Sequence, residues 1–360
     1  MNLIVYGTGK CSEECTEILN KHDIDIMAYV DSDSTKQGEK FLGKYIIKLE
    51  EINNYIYDYI LIASSYFQEI KNRLIQNKVC DTKKIINYFE LNKMFTLEYY
   101  KKNANEVEND GELIAAIKYL EKNPINIFCD EFVEKYKVDD IQVFLDDEKK
   151  LRYVIYENKK IYFKRSMNEN EILNYYNELR KEQDEKSPHR YLTKQFDIKK
   201  DSVIIDVGVA EGNFTISVID KIRKAYLFEV DEEWIEALNA TFEPYKDKVE
   251  IIPTYISNHN SGINRTLDSF NFLEKIDLVK FDIEGEEEKA LEGASVLLEQ
   301  KELKLLVCTY HKYNDAIIIS NLLKEKGYSV EHSKGYMLFI YDDYFLEHPQ
   351  FRRGLVRAQK

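Results

Sequence analysis

Cysteine is scarce and scattered in this sequence. The five cysteines (Cys11, Cys15, Cys80, Cys129 and Cys308) are odd in number and include no Cys-x-x-Cys pair. Neither a disulfide framework nor a cysteine-based metal centre is therefore expected. Cys11 and Cys15 lie four residues apart, but no other Cys or His is near them. We interpret them as small buried side chains and not as a metal chelate.

Long apolar runs and a basic face are also missing. No apolar stretch approaches the roughly 18 residues that span a bilayer. Residues 1–5 have neither a basic region nor a cleavage site. A formal net charge of −14 argues against unspecific binding to nucleic acid or to an anionic membrane surface. We therefore expect a cytoplasmic protein without a nucleic-acid partner or membrane insertion, and a small molecule or a glycan as its ligand.

The chain is long enough for more than one folded domain. Its 360 residues are 44% hydrophobic, and predicted strands alternate with helices, which is typical of α/β folds with parallel sheets. We expect a Rossmann-like domain at residues 1–93 and a helical and hairpin connecting region at 94–186. A second α/β domain at 187–345 and a short basic tail at 346–360 follow. Three alternatives are open for the tail: it is pinned to the body, it contacts a phosphorylated acceptor, or it is disordered.

The first domain carries an incomplete nucleotide-binding motif. A strand leads into a turn with Gly7 and Gly9, and the next strand ends in Asp31, a candidate ribose acceptor. Ser12 stands where the pattern G-x-G-x-x-G needs its third glycine. The region resembles the Rossmann-like N-terminal domains that precede sugar-modifying enzymes of bacterial surface-glycan pathways. Two interpretations stay open, a nucleotide or nucleotide-sugar site and a scaffold without a ligand.

The connecting region contains one candidate pocket segment. Residues 151–156 and 161–164 predict a hairpin around a polar turn. Residues 187–192 interrupt a charged run directly before the second domain, and they include His189 and Arg190. These side chains are candidates to line a cofactor or acceptor pocket, with a simple turn as the alternative.

The second domain begins with a strand, a glycine turn and a helix. The strand ends at Asp206, and Gly208 and Gly212 allow a sharp turn and a close approach to a ligand. The spacing differs from the dinucleotide pattern, and Glu211 places a negative charge where a pyrophosphate would sit. Glu229 ends the next strand, where a ribose acceptor is expected. These features favour S-adenosylmethionine (SAM), which is cationic and carries no phosphate, over NAD.

Five strands are predicted in the second domain, and a hairpin closes their sheet. The strands are 203–206, 225–229, 249–252, 277–282 and 303–308, and the hairpin pairs 329–332 with 336–341. Ligands of such doubly wound sheets lie outside the carboxyl ends of the strands. The residues there are Asp206, Glu229, Asp282, Glu284, Tyr310 and His311. Strand periodicity places Lys280, Asp282 and Glu284 on one side.

Five short motifs resemble the FkbM family of methyltransferases in their order and spacing. They are Asp206-Val207-Gly208-x-x-x-Gly212, Phe228-Glu229, Thr266-Leu267-Asp268, Lys280-Phe281-Asp282-Ile283-Glu284-Gly285-Glu286 and Leu291-Glu292-Gly293-Ala294. The resemblance covers roughly residues 187–342. It implies a class I SAM-dependent methyltransferase, commonly an O-methyltransferase of sugars, polyketides or other secondary metabolites. Between its glycines this chain departs from many members, with Val209-Ala210-Glu211.

The expected site has three groups of residues. Cofactor contacts are expected from Asp206, Gly208, Glu211, Gly212, Glu229 and Ser257. Catalysis is expected from His311, Asp282 and Glu284, and acceptor binding from His189, Arg190 and Tyr310. His311 is the preferred base, since its unperturbed pKa lies near neutrality, and Asp282 is the alternative. The acids Glu286 to Glu288 are interpreted as complements of a helix dipole.

Other functions remain open at this point. Asp282, Glu284 and His311 could instead hold a divalent ion, although no metal is the preferred interpretation. The alternative activities are a nucleotide-sugar oxidoreductase that uses the first G-x-G and an N-methyltransferase of an amino-acid or glycan conjugate. A non-catalytic nucleotide-binding protein is a third alternative. The acceptor, which is either free or nucleotide-linked, and a homo-oligomeric state are not determined by the residues.

Overall fold

Two α/β units make up the part of the chain that the structure describes. The computed structural model describes residues 1–22, 24–64, 66–341 and 345–360. The first unit comprises Met1–Asp110, Leu120–Asn126 and Ile340–Gln350. The second comprises Gly111–Tyr119, Ile127–Phe339 and Phe351–Lys360. Within the described ranges no helix is both long and apolar enough to cross a membrane.

The first unit contains a six-stranded sheet in the order β3-β4-β2-β1-β5-β6. Its strands are β1 (Asn2–Tyr6), β2 (Asp25–Val30), β3 (Lys40–Phe41), β4 (Lys44–Ile47), β5 (Tyr59–Ile62) and β6 (Ile85–Ile86). Its helices are α1 (Lys10–Leu19), α2 (Phe67–Gln76) and α3 (Tyr88–Lys102). β1 pairs in parallel with β2 and β5, as strand–helix alternation predicts. Side chains from both faces of β1 are buried, among them Leu3 and Ile4.

A helical and hairpin segment precedes the main sheet of the second unit. Its elements are α4 (Gly111–Lys122), β7 (Phe144–Asp146), β8 (Leu151–Tyr156), β9 (Lys159–Tyr162) and α5 (Glu169–Glu182). β8 and β9 form the predicted hairpin, and β7 adds a third antiparallel strand. Helix α5 begins at a capping box in which Asn168 and Glu171 each bond the other's backbone N–H.

The second unit contains a seven-stranded sheet. Its elements in chain order are β10 (Ser202–Val207), α6 (Asn213–Val218), β11 (Ile222–Phe228), α7 (Glu232–Phe242), β12 (Val249–Ile252), β13 (Tyr255–Ile256), β14 (Asn264–Arg265), β15 (Leu278–Phe281), α8 (Glu287–Glu292), β16 (Lys304–Cys308), α9 (Asp315–Glu325), β17 (Ser329–His332) and β18 (Leu355–Gln359). The sheet order is β12-β11-β10-β15-β16-β18-β17, and the small pair β13-β14 lies outside it. The doubly wound α/β sheet expected from the sequence is thus confirmed.

The central strand β10 is buried along its whole length. Val203, Ile205 and Val207 pack into one hydrophobic cluster, whereas Ile204 packs into another. Alternate side chains therefore enter two cores on opposite faces of the sheet. This explains the nearly continuous apolar run before Asp206.

The edge of this sheet corrects the sequence prediction. β17 pairs with β18 and not with residues 336–341, so the predicted hairpin is wrong. β18 lies between β16 and β17 and is antiparallel to both, so residues 346–360 are no detached tail. Leu355, Val356 and Ala358 are fully buried. The basic residue Arg357 interrupts the apolar pattern of this strand. In the structure its guanidinium is buried and donates to the backbone carbonyls of Tyr191 and Arg190.

Candidate active site

The glycine turn after β10 is held by close packing within the protein. Gly208 has φ +76°, and a Cβ there would lie 1.8 Å from the carbonyl oxygen of Asp282. Gly212 has φ +84°, and a Cβ there would meet Phe242 and Leu238 at 2.8 and 2.9 Å. Both positions therefore require glycine for reasons internal to the fold. The turn and the end of β15 are in direct contact as a result.

Asp206 lies beneath this turn and forms a buried ion pair. Its Oδ1 is 3.0 Å from Lys280 Nζ, and its Oδ2 accepts a hydrogen bond from Thr215 at 2.7 Å. Lys280 Nζ also donates to the carbonyl oxygen of Gly208 at 2.7 Å. Burial raises the pKa of Asp206, and the charge of Lys280 opposes that rise. Lys280 thus links Asp206 to the turn, and it does not project into the edge beside Asp282 and Glu284 as predicted.

Glu229 follows β11 and is bonded to the same turn. Its Oε2 accepts from the N–H of Ala210 at 2.9 Å, and its Oε1 accepts from Val230 and Asp231 at 2.7 and 2.9 Å. Three backbone donors therefore hold the carboxylate at the carboxyl end of the sheet. This is the predicted position of the ribose acceptor. The contact with ribose itself stays a prediction.

Glu211 is turned inward and does not project freely from the turn. Its residue is 5% exposed, and Oε2 accepts from the hydroxyl of Tyr175 at 2.8 Å. Oε1 accepts from the N–H of Asn213 at 3.3 Å. Burial raises the pKa of Glu211, whereas these bonds lower it. The carboxyl group of Glu211 therefore lies near the start of α6, as expected, but it accepts a hydrogen bond from Tyr175 of α5.

Asp282 is the centre of the second group of side chains. It directly follows β15, and its Oδ2 and Oδ1 accept hydrogen bonds from Tyr191 at 2.6 Å and Tyr310 at 3.1 Å. His189 Nε2 lies 3.6 Å from Oδ2, and His311 Nε2 lies 3.7 Å from Oδ1. Burial would raise the pKa of Asp282, but the histidines and Lys280 hold it well below its usual range. Asp282 is therefore an anion.

His311 lies between three acidic side chains. Its Nδ1 is 3.0 Å from Glu287 Oε1, and its Nε2 is 3.8 Å from Glu284 Oε2 as well as near Asp282. Burial alone would lower the pKa of His311, but Glu287, Asp282 and Glu284 raise it to about 8. The ring therefore carries a proton over much of the neutral range.

His189 has a similar environment on the other side of Asp282. Its Nδ1 lies 3.8 Å from Glu182 Oε2, and its ring contacts those of Tyr191 and Tyr310, with centroids 5.0 and 5.2 Å away. Burial lowers the pKa of His189, but Glu182 and Asp282 raise it above its ordinary value overall. His189 is 1% exposed, so it packs behind Asp282.

The structure gathers most of the predicted residues into two neighbouring groups. The turn group contains Asp206, Gly208, Glu211, Gly212 and Glu229, and the second group contains Asp282, Glu284, His189, Tyr310 and His311. Arg190 belongs to neither, because its guanidinium donates to the carbonyls of Leu192 and Gln183. It lines a cleft of about 160 Å³ with residues of α5 and α6. Ser257 is buried. Its carbonyl oxygen packs so closely on Gly293 that a Cβ on that glycine would lie only 2.1 Å from it.

Sequence reasoning missed Glu287 and Glu182. Tyr191 lies in the 187–192 segment, in which the sequence points mainly to His189 and Arg190. The sequence pattern interprets Glu287 as a helix-start acid, yet Glu287 is fully buried. In the described part of the chain, donor atoms of Asp282, Glu287 and His311 lie within 4.8 Å of one another, as do those of His189, Asp282 and Cys308. Asp282 accepts two tyrosine hydroxyls and His311 faces Glu287, so we assign no cation to either group.

Comparison with known proteins gives a family match for the first unit and similar solved structures. Residues 1–86 match the family described as C2185-like, N-terminal. No curated protein matches the sequence. The chain is similar to the structure of the methyltransferase FkbM from Methylobacillus flagellatus KT, with 14% identity, a TM-score of 0.46 and coverage of 99% of this chain and 89% of that chain.

Two further structures cover parts of this chain. A methyltransferase from Streptococcus mutans in complex with SAH has 19% identity and a TM-score of 0.33, over 45% of this chain and 90% of that one. TYW2 of M. jannaschii in complex with AdoMet has 13% identity and a TM-score of 0.36, over 61% and 91%. Such values are too low to transfer an activity. The seven-stranded sheet of the second unit has one strand, β18, antiparallel to its neighbours near the edge.

Proposed function

We propose that this protein is a SAM-dependent methyltransferase. The observation that carries the proposal is the meeting of the Gly208 turn, Glu229 and Asp282 at the carboxyl edge of one doubly wound sheet. This edge is where nucleotide-like ligands of such sheets bind. Asp282 is anionic there, and Lys280 is neutralised by Asp206. An acidic edge suits a cationic, phosphate-free cofactor better than a dinucleotide.

The residues present fit SAM. Glu229 offers carboxylate oxygens for the ribose hydroxyls, and the turn at Gly208 provides backbone next to them. Asp282 and Glu284 offer negative charge for the sulfonium and ammonium groups. When bound, SAM supplies an electrophilic methyl group, which it loses as SAH forms.

The acceptor that fits this site best is a hydroxyl group. A hydroxyl is a poor nucleophile while it keeps its proton, so a base within hydrogen-bond reach accelerates its methylation. His311 Nε2 lies 3.7 and 3.8 Å from Asp282 Oδ1 and Glu284 Oε2, too far for direct hydrogen bonds. An acceptor oxygen placed beside such a pair would lie within hydrogen-bond distance of His311 Nε2 and of one carboxylate. The neutral His311 then takes the proton, while Asp282 and Glu284 orient the acceptor.

We place the reaction in the cytoplasm, with a sugar or another small hydroxylated compound of surface-glycan or natural-product synthesis as the acceptor. The sugar is either free or nucleotide-linked. His189 and Tyr310 support Asp282 in binding it. An RNA acceptor is disfavoured by the net charge of −14, and an amine acceptor is the alternative within the same fold.

Calorimetry with SAM, SAH and NAD tests the first step. Binding of SAM and SAH at micromolar concentrations without binding of NAD is the expected result. Binding of NAD alone would overturn the proposal in favour of an oxidoreductase. In the first unit Asp31 bonds Thr8 and pairs with Lys36 at 3.1 Å.

A turnover screen tests the acceptor class. Purified protein is incubated with SAM and a panel of sugars, nucleotide sugars, amino-acid conjugates and RNA, and products are identified by a mass increase of one methyl group. O-methylation of a sugar is expected. Methylation of an amine or of RNA only would retain the methyltransferase and reject the hydroxyl acceptor.

A further inference from the structure

The first residue of α8 is a carboxylate buried inside the protein. Glu287 is 0% exposed, whereas Glu286 before it has 27% of its side chain exposed and Glu288 after it is partly exposed. The turn before the helix uses two left-handed residues, Glu284 at φ +55° and Gly285 at φ +89°. This turn directs Glu287 inward, so a simple complement to the helix dipole does not account for its position.

The Glu287 carboxylate makes two close contacts, both through Oε1. Oε1 of Glu287 accepts a hydrogen bond from the N–H of Ile283 at 2.8 Å and lies 3.0 Å from His311 Nδ1. Neither His311 Nδ1 nor Glu287 Oε2 has a hydrogen-bond partner among the described residues, so the 3.0 Å contact between Nδ1 and Oε1 is an ion-pair contact without hydrogen-bond geometry. A buried carboxylate is costly unless it is paired, and His311 is the cation in contact with it.

This contact decides which ring nitrogen of His311 is free. A carboxylate beside Nδ1 favours a proton on that nitrogen, which leaves the lone pair of the neutral ring on Nε2. Nε2 points toward Asp282 and Glu284 and is not bonded to either. The contacts therefore run from the Glu287 carboxylate through the imidazole ring to Nε2, which faces Asp282 and Glu284.

Several other charged groups face His311 and belong in any account of its titration. The acids are Asp282 and Glu284 after β15, Glu287 on α8 and Asp315 at the start of α9, and the cations are Lys312 beside Gly285 and Arg352, which donates to the carbonyl oxygen of His311. Among the side chains named here, Glu287 alone is in contact with Nδ1, so its removal is the specific perturbation of that nitrogen.

We propose that Glu287 is the positioning residue of this site: it holds the Nδ1–H side of His311 and thereby directs Nε2 toward Asp282, beside which the acceptor hydroxyl binds. This inference rests on the proposed methyl transfer. Glu287 acts through His311 and touches neither cofactor nor acceptor.

The test compares Glu287→Gln with the matched control Glu288→Gln. Both remove one negative charge from the first turn of α8, and Gln at 287 can still accept the bond from Ile283. The first readout is the titration of His311 by NMR in the SAH-bound protein, with His311→Gln used to assign its signal. In Glu287→Gln we expect the midpoint to fall from about 8 towards the ordinary value of about 6.5. In Glu288→Gln it stays near the wild-type value.

The second readout is methyl transfer to the acceptor found in the sugar screen, as a function of pH. At pH 9, above both midpoints, Glu287→Gln is expected to lose about 10–100-fold in kcat, with KM for SAM within about twofold of wild type. Glu287→Asp, which keeps the charge, is expected to recover part of kcat and the higher midpoint. It also replaces Glu287→Gln if that variant does not fold.

The outcomes separate this inference from the proposed function. An unchanged midpoint in Glu287→Gln overturns the positioning role, and so does a lower midpoint with unchanged kcat. Failure of the wild-type protein to bind SAM or to methylate any acceptor overturns the proposed function itself, and it is seen before a variant is made.

Discussion

Lys280 Nζ lies 3.0 Å from Asp206 Oδ1, and both side chains are buried at the centre of the second sheet. The two residues are register partners on β15 and β10. Lys280→Met leaves an unpaired buried carboxylate, so we expect it to lower the free energy of unfolding by about 3–5 kcal/mol. Urea unfolding of Lys280→Met, Asp206→Asn and the double variant measures this. The double variant should be more stable than Lys280→Met, and strictly additive losses would contradict the pairing.

Gly208→Ala tests the contact between the turn and the end of β15. A Cβ at this position combines a left-handed backbone with a distance of 1.8 Å to the carbonyl oxygen of Asp282. We expect a loss of about 2–5 kcal/mol of stability from these two costs together. Thermal unfolding measures it. Gly111→Ala is the control, because a Cβ there meets nothing within 4 Å. Equal melting temperatures of the two variants would show that the turn tolerates a side chain.

His311 makes stability and activity respond to pH in opposite directions. Its folded pKa of about 8 lies above the ordinary value of about 6.5, so protonation stabilises the fold below pH 6.5 and this contribution is lost as pH rises through 8. The stability difference between wild type and His311→Gln should therefore shrink by about 2 kcal/mol between pH 6 and pH 9. Denaturant titrations at both pH values measure it, and a constant difference would contradict the raised pKa.

Methyl transfer is expected to rise with pH over the same range. A base must be deprotonated to accept the acceptor's proton, so kcat/KM should increase about tenfold per pH unit below 8 and level off above it. His311→Gln should lose this rise together with most of the activity. A wild-type profile that is flat from pH 6 to 9 would exclude His311 as the base.

Glu229→Gln is expected to weaken SAM binding. Loss of a charge-assisted hydrogen bond to ribose costs about 1.5–3 kcal/mol, which is about 10–150-fold in Kd. Isothermal titration with SAM and SAH provides the measurement. Glu232→Gln, an exposed acid three residues further on, should bind like wild type. The melting temperature of each variant is measured as well, because Glu229 also accepts three backbone hydrogen bonds and its replacement can change stability.

Ending the chain after Gly354 removes β18 from the sheet. The strand lies between β16 and β17 and contributes fully buried Leu355, Val356 and Ala358. We expect the second unit to lose its cooperative unfolding transition, and circular dichroism measures this. Deletion of Lys360 alone should lower the free energy of unfolding by less than about 1 kcal/mol. The side chain of Lys360 contacts Glu299, the carbonyl oxygen of Leu298 and the ring of Tyr328. A truncated protein as stable as wild type would mean that β18 is dispensable.

Local sequence patterns were sufficient for the regular elements that position the site. An apolar run, two glycines and an amphipathic segment predict β10, its turn and α6, because strand and helix periodicity are properties of neighbouring residues. Acids at strand ends then predict Glu229 and Asp282 at one edge, since parallel strands bring their carboxyl ends together.

Contacts between residues far apart in the chain determined the rest of the fold and of the candidate site. β18 is brought between β16 and β17 from the end of the chain, and the burial of Arg357 depends on carbonyls of the distant residues Tyr191 and Arg190. Glu287 looks like its neighbours in the sequence, and only the fold buries it against His311. The sequence alone therefore determined β10, its glycine turn and α6, and the acids at the ends of β11 and β15. The tertiary structure determined which charges are neutralised inside and which remain for a ligand, because burial and pairing arise from contacts between residues far apart in the chain.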